Sequence, residues 1–520
     1  GRSLVNSATQ TPKRPLVTLV AVCAAIVLVP IVATGASVAL PGISSDLNAG
    51  LSSTQWVVNA FFLTFASFMA LTGSLADIIG RRTMFTVGLA TFCASMIVAA
   101  AAPDITVLII ARVIAGVGAA AVTTGGSAVL AHTFTGAARA RAFAAFGTAI
   151  GLGLAFGPLI AGALVTSLGG WRVFSLSAAL VLLPVLAISF LLVNSRDPHP
   201  AGIDWYGAGT FTASLSLFVF AVVEGPSLGW HHPDVIGAFL AAVILFLVFT
   251  RCENLAEHPL IDLSLFREPR FVAICILPIL LAFGFVALLI LLPPYFMAVD
   301  SMTAQSAGLL LVLLTGPTLI LPLVTGALVQ RIPERVLLIA IVALLAVGSA
   351  WLTIVEPHSG PATLAAPLIT LGSGFGISLA ILDGAAVSSV ESSRAGMAAG
   401  VFNTMRLGGE SISIAALGAV ISAVTASELD RAVSGDDTAD VTDKVLQGDM
   451  NSAVTGLADP DAMRSFAEHA YTSGLHAALW TICALSVLGI AVVGLLTRKP
   501  TLSTGSNATT PAPAAADAHV

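Results

Sequence analysis

Again and again along this chain, an apolar run long enough to cross a membrane is followed by a short polar break. A helix needs ~20 largely apolar residues to span ~30 Å of hydrocarbon. Such runs lie at 16–40, 53–75, 84–102, 105–132, 142–166, 171–193, 206–225, 235–253, 271–298, 305–329, 335–355, 360–388, 396–424 and 474–497. With 57% of the 520 residues hydrophobic and 10% charged, no soluble fold can hide this much apolar surface. The two-residue alternation of a membrane β-barrel is absent. The expected fold class is an all-α polytopic membrane protein with 14 transmembrane helices.

Basic residues should collect in cytoplasmic loops, so their placement tests the span count. Lys13 and Arg14, Arg81 and Arg82, Arg139 and Arg141, Arg196, Arg251, Arg267 and Arg270, Arg331 and Arg335, Arg394, and Arg498 with Lys499 all fall on one predicted side. Asp46, Asp104, Glu224, Asp234, Asp300 and Glu356 fall on the other, where Arg172 is the only base outside the last loop. Both termini are therefore expected in the cytoplasm. The first run is too long for a signal-peptide core and reads as a retained span.

One hydrophilic insertion, 425–470, is acidic: Asp436, Asp437, Asp440, Asp443, Asp449, Asp459 and Asp461 stand against Arg431, Lys444 and Arg464. It is expected outside the cell as a solvated cap, because its spacing does not match a calcium loop. His231 and His232 read as part of a wet turn. Cys23, Cys93, Cys252, Cys275 and Cys483 lie in or beside apolar runs without CxxC spacing, so no metal site and no cofactor are expected. No ATP-binding P-loop is present. From Pro500 the chain reads as a disordered tail rich in Thr, Ala and Pro.

Gly73-Ser74-Leu75-Ala76-Asp77-Ile78-Ile79-Gly80-Arg81-Arg82 follows the second run. Glycines let two helix ends approach, while Asp77 can engage a helix terminus or an Arg in one conformation and release it in another. This resembles the cytoplasmic loop signature of the major facilitator superfamily, with Ile78 where a base is usual. A degraded copy at 326–335 carries Gln330 in the place of Asp77. Leu108, Arg112, Gly116 and Gly118 resemble the family's basic motif in the fourth span. Gly147, Gly151, Gly153, Gly157, Pro158 and Gly162 resemble the glycine-rich antiporter motif of the fifth, and Trp171-Arg172 the opening of the sixth. Small residues at this spacing also serve close helix packing.

The resemblance, running from about Pro15 to Arg498, is to the superfamily's fourteen-span drug:proton antiporters, which are multidrug efflux proteins. It implies the major facilitator fold, two six-helix bundles plus two extra linker helices: a cytoplasmic tail at 1–15, bundles at 16–193 and 271–497, a linker at 194–270 and a cytoplasmic tail at 498–520. It implies a bacterial inner (cytoplasmic) membrane location and export of small amphipathic substrates in exchange for protons by alternating access. The partners implied are the lipid bilayer, the substrate and protons, with no nucleic acid; a monomer is compatible with this. The rivals are a lipid or cell-envelope precursor transporter of the same fold and a membrane-embedded transferase, for which no catalytic cluster is evident.

The family's first-span acid is missing here, its place taken by Val32 in Ile31-Val32-Ala33-Thr34-Gly35-Ala36-Ser37-Val38-Ala39-Leu40-Pro41. Charge within a span costs about 2.5–3.5 kcal/mol per residue on insertion scales, so the survivors are candidates for coupling. They are Arg112, Asp383, Arg406 and Glu410. Arg406 and Glu410, one helical turn apart, can neutralise one another. Asp383 has no base on its own helix, so burial would favour its protonated form; its place near the cytoplasmic end equally suits a wetted cap. Arg112 must point into the bundle, to hold an anionic group, to tune an acid or to bind carbonyls. By resemblance, Thr34, Asn59, Phe61 and Phe62 lie on cavity-lining spans.

Overall fold

The computed structural model describes residues 15–196, 202–257, 259, 261–328, 331–389, 395–431, 437–454 and 460–498. Lys13, Arg14, Gln330, Arg394, Asp436, Asp459, Lys499 and the tail from Pro500 lie outside them. The described residues form helices and connecting turns, without a strand. This suits hydrocarbon, where each backbone N–H and C=O must be satisfied within the protein. Among the described residues, fourteen spans are long and apolar enough to cross a membrane.

The first six are α1 (Pro15–Leu47), α2 (Leu51–Ile79), α3 (Arg81–Ala101), α4 (Ile105–Thr133), α5 (Gly136–Ser167) and α6 (Trp171–Ser189). α7 (Trp205–Leu228) and α8 (Pro233–Leu255) follow. The ninth span is α9 (Pro269–Leu281) and α10 (Ala287–Val299), joined through a π-turn at Ala282–Val286. The tenth is broken into α11 (Ala304–Leu310), α12 (Val312–Thr315) and α13 (Pro317–Leu328). Pro317 lacks the N–H that would continue the ladder, which accounts for the second break. α14 (Glu334–Leu352), α15 (Pro361–Ser388), α16 (Ala395–Leu429) and α19 (Pro460–Leu496) complete the bundle, with α17 (Asp437–Leu446) and α18 (Met450–Val454) between the last two.

The two halves repeat one packing diagram. α1 lies along α5, α2 and α3 along α4, and α6 against α3; correspondingly α9 lies along α16, α13 and α14 along α15, and α19 against α14. The halves meet through α1 on α10, α2 on α16 and α5 on α11. α7 sits against both α2 and α16, and α8 packs on α7. Local chemistry sets several joints: Asp104 accepts from the Val107 N–H at 3.0 Å and Asp204 from that of Gly207 at 2.7 Å, capping α4 and α7. Gly80, at φ +111°, turns α2 into α3 where a Cβ would stand 2.5 Å from Asn194 Oδ1.

The insertion is not the solvated cap expected of 425–470. α16 runs to Leu429 and α19 begins at Pro460. Between them, Val441, Val445, Leu446, Met450, Ala453 and Val454 are buried, so the acidic segment folds down onto the bundle by an apolar face.

Candidate functional site

A cavity opens between the halves, about 670 Å³ counting the space open to solvent. Its walls are apolar: Pro30 on α1, Phe62 and Phe65 on α2, Ile150 and Leu154 on α5, Phe375 and Leu379 on α15. Charge enters only from α16, through Arg406 and Glu410. A smaller adjoining cavity shares these two and reaches Asp383 on α15. Arg406 and Glu410 are both half-buried. Both line the shared space, and among the described residues no hydrogen bond or salt bridge closes between them, although the Arg406 charge acts on the Glu410 carboxylate. Asp383 is exposed, so the expectation of a buried lone acid fails for it.

Arg112 lies in the N-terminal half, 4% exposed. Its Nε donates to the Val57 carbonyl at 2.8 Å and its Nη1 to the Val32 carbonyl at 3.4 Å. The guanidinium lies over the Phe61 ring, 4.6 Å from its centroid. Nη2 has no partner. The arginine thus points into the bundle and reaches the backbone at Val32, the position where an acid would face it.

At the end of the bundle where the bases collect, Asp77 pairs with Arg81 at 3.3 Å, one turn on. Arg82 donates to the Leu192 carbonyl at 3.2 Å. Gly73 sits on the same end of α2, close to Thr124. On α5, the glycine motif faces two neighbours. A Cβ on Gly153 would lie 2.3 Å from Pro30, and one on Gly157 2.4 Å from Thr34, so α5 and α1 touch along their backbones. A Cβ on Gly162 would lie 2.3 Å from the Ala304 carbonyl oxygen, and one on Gly308 2.4 Å from that of Pro158. The same motif therefore seals α5 against α11 of the other half.

The profile of the Major Facilitator Superfamily matches residues 22–414. The chain belongs to that superfamily. It is similar to the drug efflux pump JefA of Mycobacterium tuberculosis, 30% identical over 83% of this chain and 84% of that one. It resembles the multidrug efflux pump LfrA of Mycolicibacterium smegmatis at 26% over 95% and 98%. A tetracenomycin C resistance and export protein of Streptomyces glaucescens is 28% identical over 78% and 76%. Among solved structures, an inward-facing bacterial homologue of the human lysosomal transporter Spinster superposes with a TM-score of 0.65 at 15% identity, over 93% of this chain and 96% of that one. That likeness speaks for the fold.

Within this major facilitator fold, Thr34 and Phe62 line the cavity, whereas Asn59 and Phe61 do not. Asn59 is buried and donates to the Gln55 carbonyl at 3.1 Å. Phe61 is fully buried beneath Arg112. Neighbours on a helix point about 100° apart, and here that rotation carries Phe61 under Arg112 while Phe62 reaches the cavity. Sequence reasoning missed Phe65, one turn from Phe62, and Phe375, which lines the cavity and stacks on the buried Phe285 with centroids 4.0 Å apart. The i, i+3 spacing of Phe62 and Phe65 was the available signal for the first.

The inter-half contacts gather at the acidic end. Gln305 N donates to Thr166 Oγ1 at 3.3 Å, and Thr315 Oγ1 to the Ala155 carbonyl at 2.9 Å. Above them α17 bridges the halves: Ser44 Oγ donates to Gln447 Oε1, Gly448 packs on Pro41, and the Asp443 carboxylate accepts from the Leu51 N–H at the start of α2. Burial pushes the Asp443 carboxyl above the usual range, and Asp440 adds to the rise. Nearby, Asp300 is held by the His358 N–H at 2.6 Å and likewise raised by burial. The His358 ring reaches Glu468 at 3.2 Å, which also pairs with Arg464 at 3.1 Å.

Proposed function

We propose that this chain is a secondary active exporter, which takes amphipathic or lipophilic drugs from the cytoplasmic side and releases them outside in exchange for protons by alternating access. One observation supports the reading: an apolar cavity lies between two repeated halves that touch at the acidic end, with Arg406 and Glu410 on its wall. The excess of arginine supports a cytoplasmic basic end, and with it cytoplasmic termini and a bacterial inner-membrane location, the chain working as a single molecule. It then faces inward, ready to load. The relatives' names as drug and multidrug efflux pumps support the same substrate class.

Glu410 is the residue on which substrate and proton compete. It stands on the wall that both cavities share, beside Arg406, while Asp383 at the rim supplies charge closer to water. Arg112 holds the N-terminal half together at Val32 and Val57, and the Asp77–Arg81 pair breaks and reforms as the cytoplasmic ends open and close. Val32 favours one further reading, a transporter of a lipid or envelope precursor that runs without proton exchange, because the N-terminal half brings no acid to the cavity.

The test is efflux of a lipophilic fluorescent cation from proteoliposomes under an imposed proton gradient. Transport that follows the gradient supports antiport. Transport that ignores it gives the lead to the lipid reading.

A further inference from the structure

The cavity has two lateral seams toward the bilayer, and the structure treats them differently. Along the first, α2 meets α16, and α7 is laid over the join. At its basic end Phe211 packs into an apolar cluster with Phe271, Ala398 and Val401 of the C-terminal half. At its acidic end Glu224 accepts from Ser52 Oγ at 2.5 Å and Trp56 Nε1 at 3.0 Å, both on α2 of the N-terminal half. Between these anchors Leu215, Val219, Val222 and Val223 are buried in the main core. α8 adds a second layer, joined by Ser214 Oγ donating to the Ala242 carbonyl at 2.8 Å.

Along the second seam, α5 meets α11 to α13 with no helix laid over it. It is tight at Gly162 and Gly308 and slackens toward the basic end. Gly151 stands with its Cβ position 3.9 Å from the Thr318 carbonyl, and a Cβ on Gly147 would meet nothing within 4 Å. Across from it Ile320 is 65% exposed and Leu323 77%. This slack stretch runs directly into the cavity, since Ile150, three residues beyond Gly147, and Leu154 form the cavity wall.

We propose that a membrane-dissolved amphipathic substrate enters sideways through the α5–α13 seam from the basic-end leaflet, and that α7 and α8 make this access one-sided by closing the α2–α16 seam. The reason is hydrophobic continuity. A molecule partitioned beneath the headgroups can slide past Leu323 and Gly147 to Ile150 without exposing its apolar body to water. On the opposite side it would have to displace α7, giving up both the Glu224 hydrogen bonds and the buried Phe211 cluster. The idea rests on the export reading, because it concerns how the cavity of that exporter is filled.

A photoreactive lipophilic cation, activated in nanodiscs holding the full chain and mapped by peptide mass spectrometry, tests it. Labels on residues 147–154 and 320–324 as well as the cavity are the expected result. Labels on α7, α8 and the bilayer side of α16 instead would overturn it. Cavity labels with neither seam marked would mean loading through the water-filled mouth, sinking the portal and leaving the export reading intact. No label in the cavity at all would remove both. In the companion assay, Gly147→Trp should raise the apparent KM for efflux several-fold with little change in kcat, while Leu240→Trp on the outer face of α8, itself 60% exposed, should leave both unchanged. Equal effects of the two substitutions would also overturn the proposal.

Discussion

Arg112 and Arg406 each lie well within a span, and their surroundings are opposites. Arg112 is 4% exposed, clamped to two carbonyls and an aromatic face, with no carboxylate beside it. Arg406 is half-buried on the cavity wall, and its acid, Glu410, stands one turn away without closing on it. A buried cation without a counterion is costly, so the carbonyls, the ring and the dense packing that hold Arg112 leave it little freedom to move. A charge pair held apart in an open cavity can instead be satisfied by something that arrives. The N-terminal half holds a cation, with Val32 where the family resemblance implies an acid, and the charged groups on the cavity wall belong to the C-terminal half.

The sharpest way to break this contrast is to neutralise the acid. Glu410→Gln should reduce gradient-driven efflux to background in proteoliposomes while binding of a fluorescent substrate persists, since only the exchange of a proton is removed. Asp383→Asn, at the exposed rim, should lower the initial rate no more than a few-fold. If the two results were reversed, coupling would belong to the rim and the half-buried position of Glu410 would be irrelevant to it.

A smaller effect would sharpen the other side of the comparison. Val32→Asp places a carboxylate on the residue whose carbonyl Arg112 already binds, where Nη2 lacks a partner. In the native background it should cost little stability. Combined with Arg112→Leu it leaves a buried unpaired acid, and the cycle should show a coupling of about 2–3 kcal/mol, near the upper end for contacting residues. Thermal unfolding in detergent measures all four proteins. Strict additivity would mean that the guanidinium does not face position 32.

The count of spans was legible because length and hydrophobicity alone decide it, and the fourteen expected runs match the fourteen found among the described residues. The inward aim of Arg112 was legible for a related reason: lipid forbids the alternative. Rotation about a helix axis was not. Phe61 and Phe62 are chemically identical and adjacent, yet one lies under Arg112 and the other on the cavity, and only the neighbouring helices decide which. Of the two readings open for Asp383, the exposed side chain suits the wetted cap, and for Arg406 and Glu410 spacing shows that two side chains can meet and not that a salt bridge closes. In 425–470 the aspartates drew attention from Val441 and Val445, whose four-residue spacing already marked a buried face.

The smallest predicted effect concerns the acidic end, where the proton's point of departure under the proposed scheme is the external solution. Asp443 caps α2 from another element, a favourable place for a carboxylate at a helix N-terminus, yet burial has raised its proton affinity above that of a free side chain. A raised carboxyl binds its proton more tightly in the closed arrangement than in an open or unfolded one. Its contribution to closure is therefore complete below the ordinary value of 3.8 and is lost as pH rises through the elevated one. Asp300, raised in the same direction, adds to the slope. A disulfide between Ser44→Cys and Gln447→Cys, whose parent side chains touch, reports the closed population by its rate of formation at a fixed thiolate fraction. That corrected rate should fall modestly as pH rises above the ordinary value of 3.8 and should flatten when Asp443→Asn is added. A corrected rate that rises with pH would show that the capping charge outweighs its burial, and that external protons open this end.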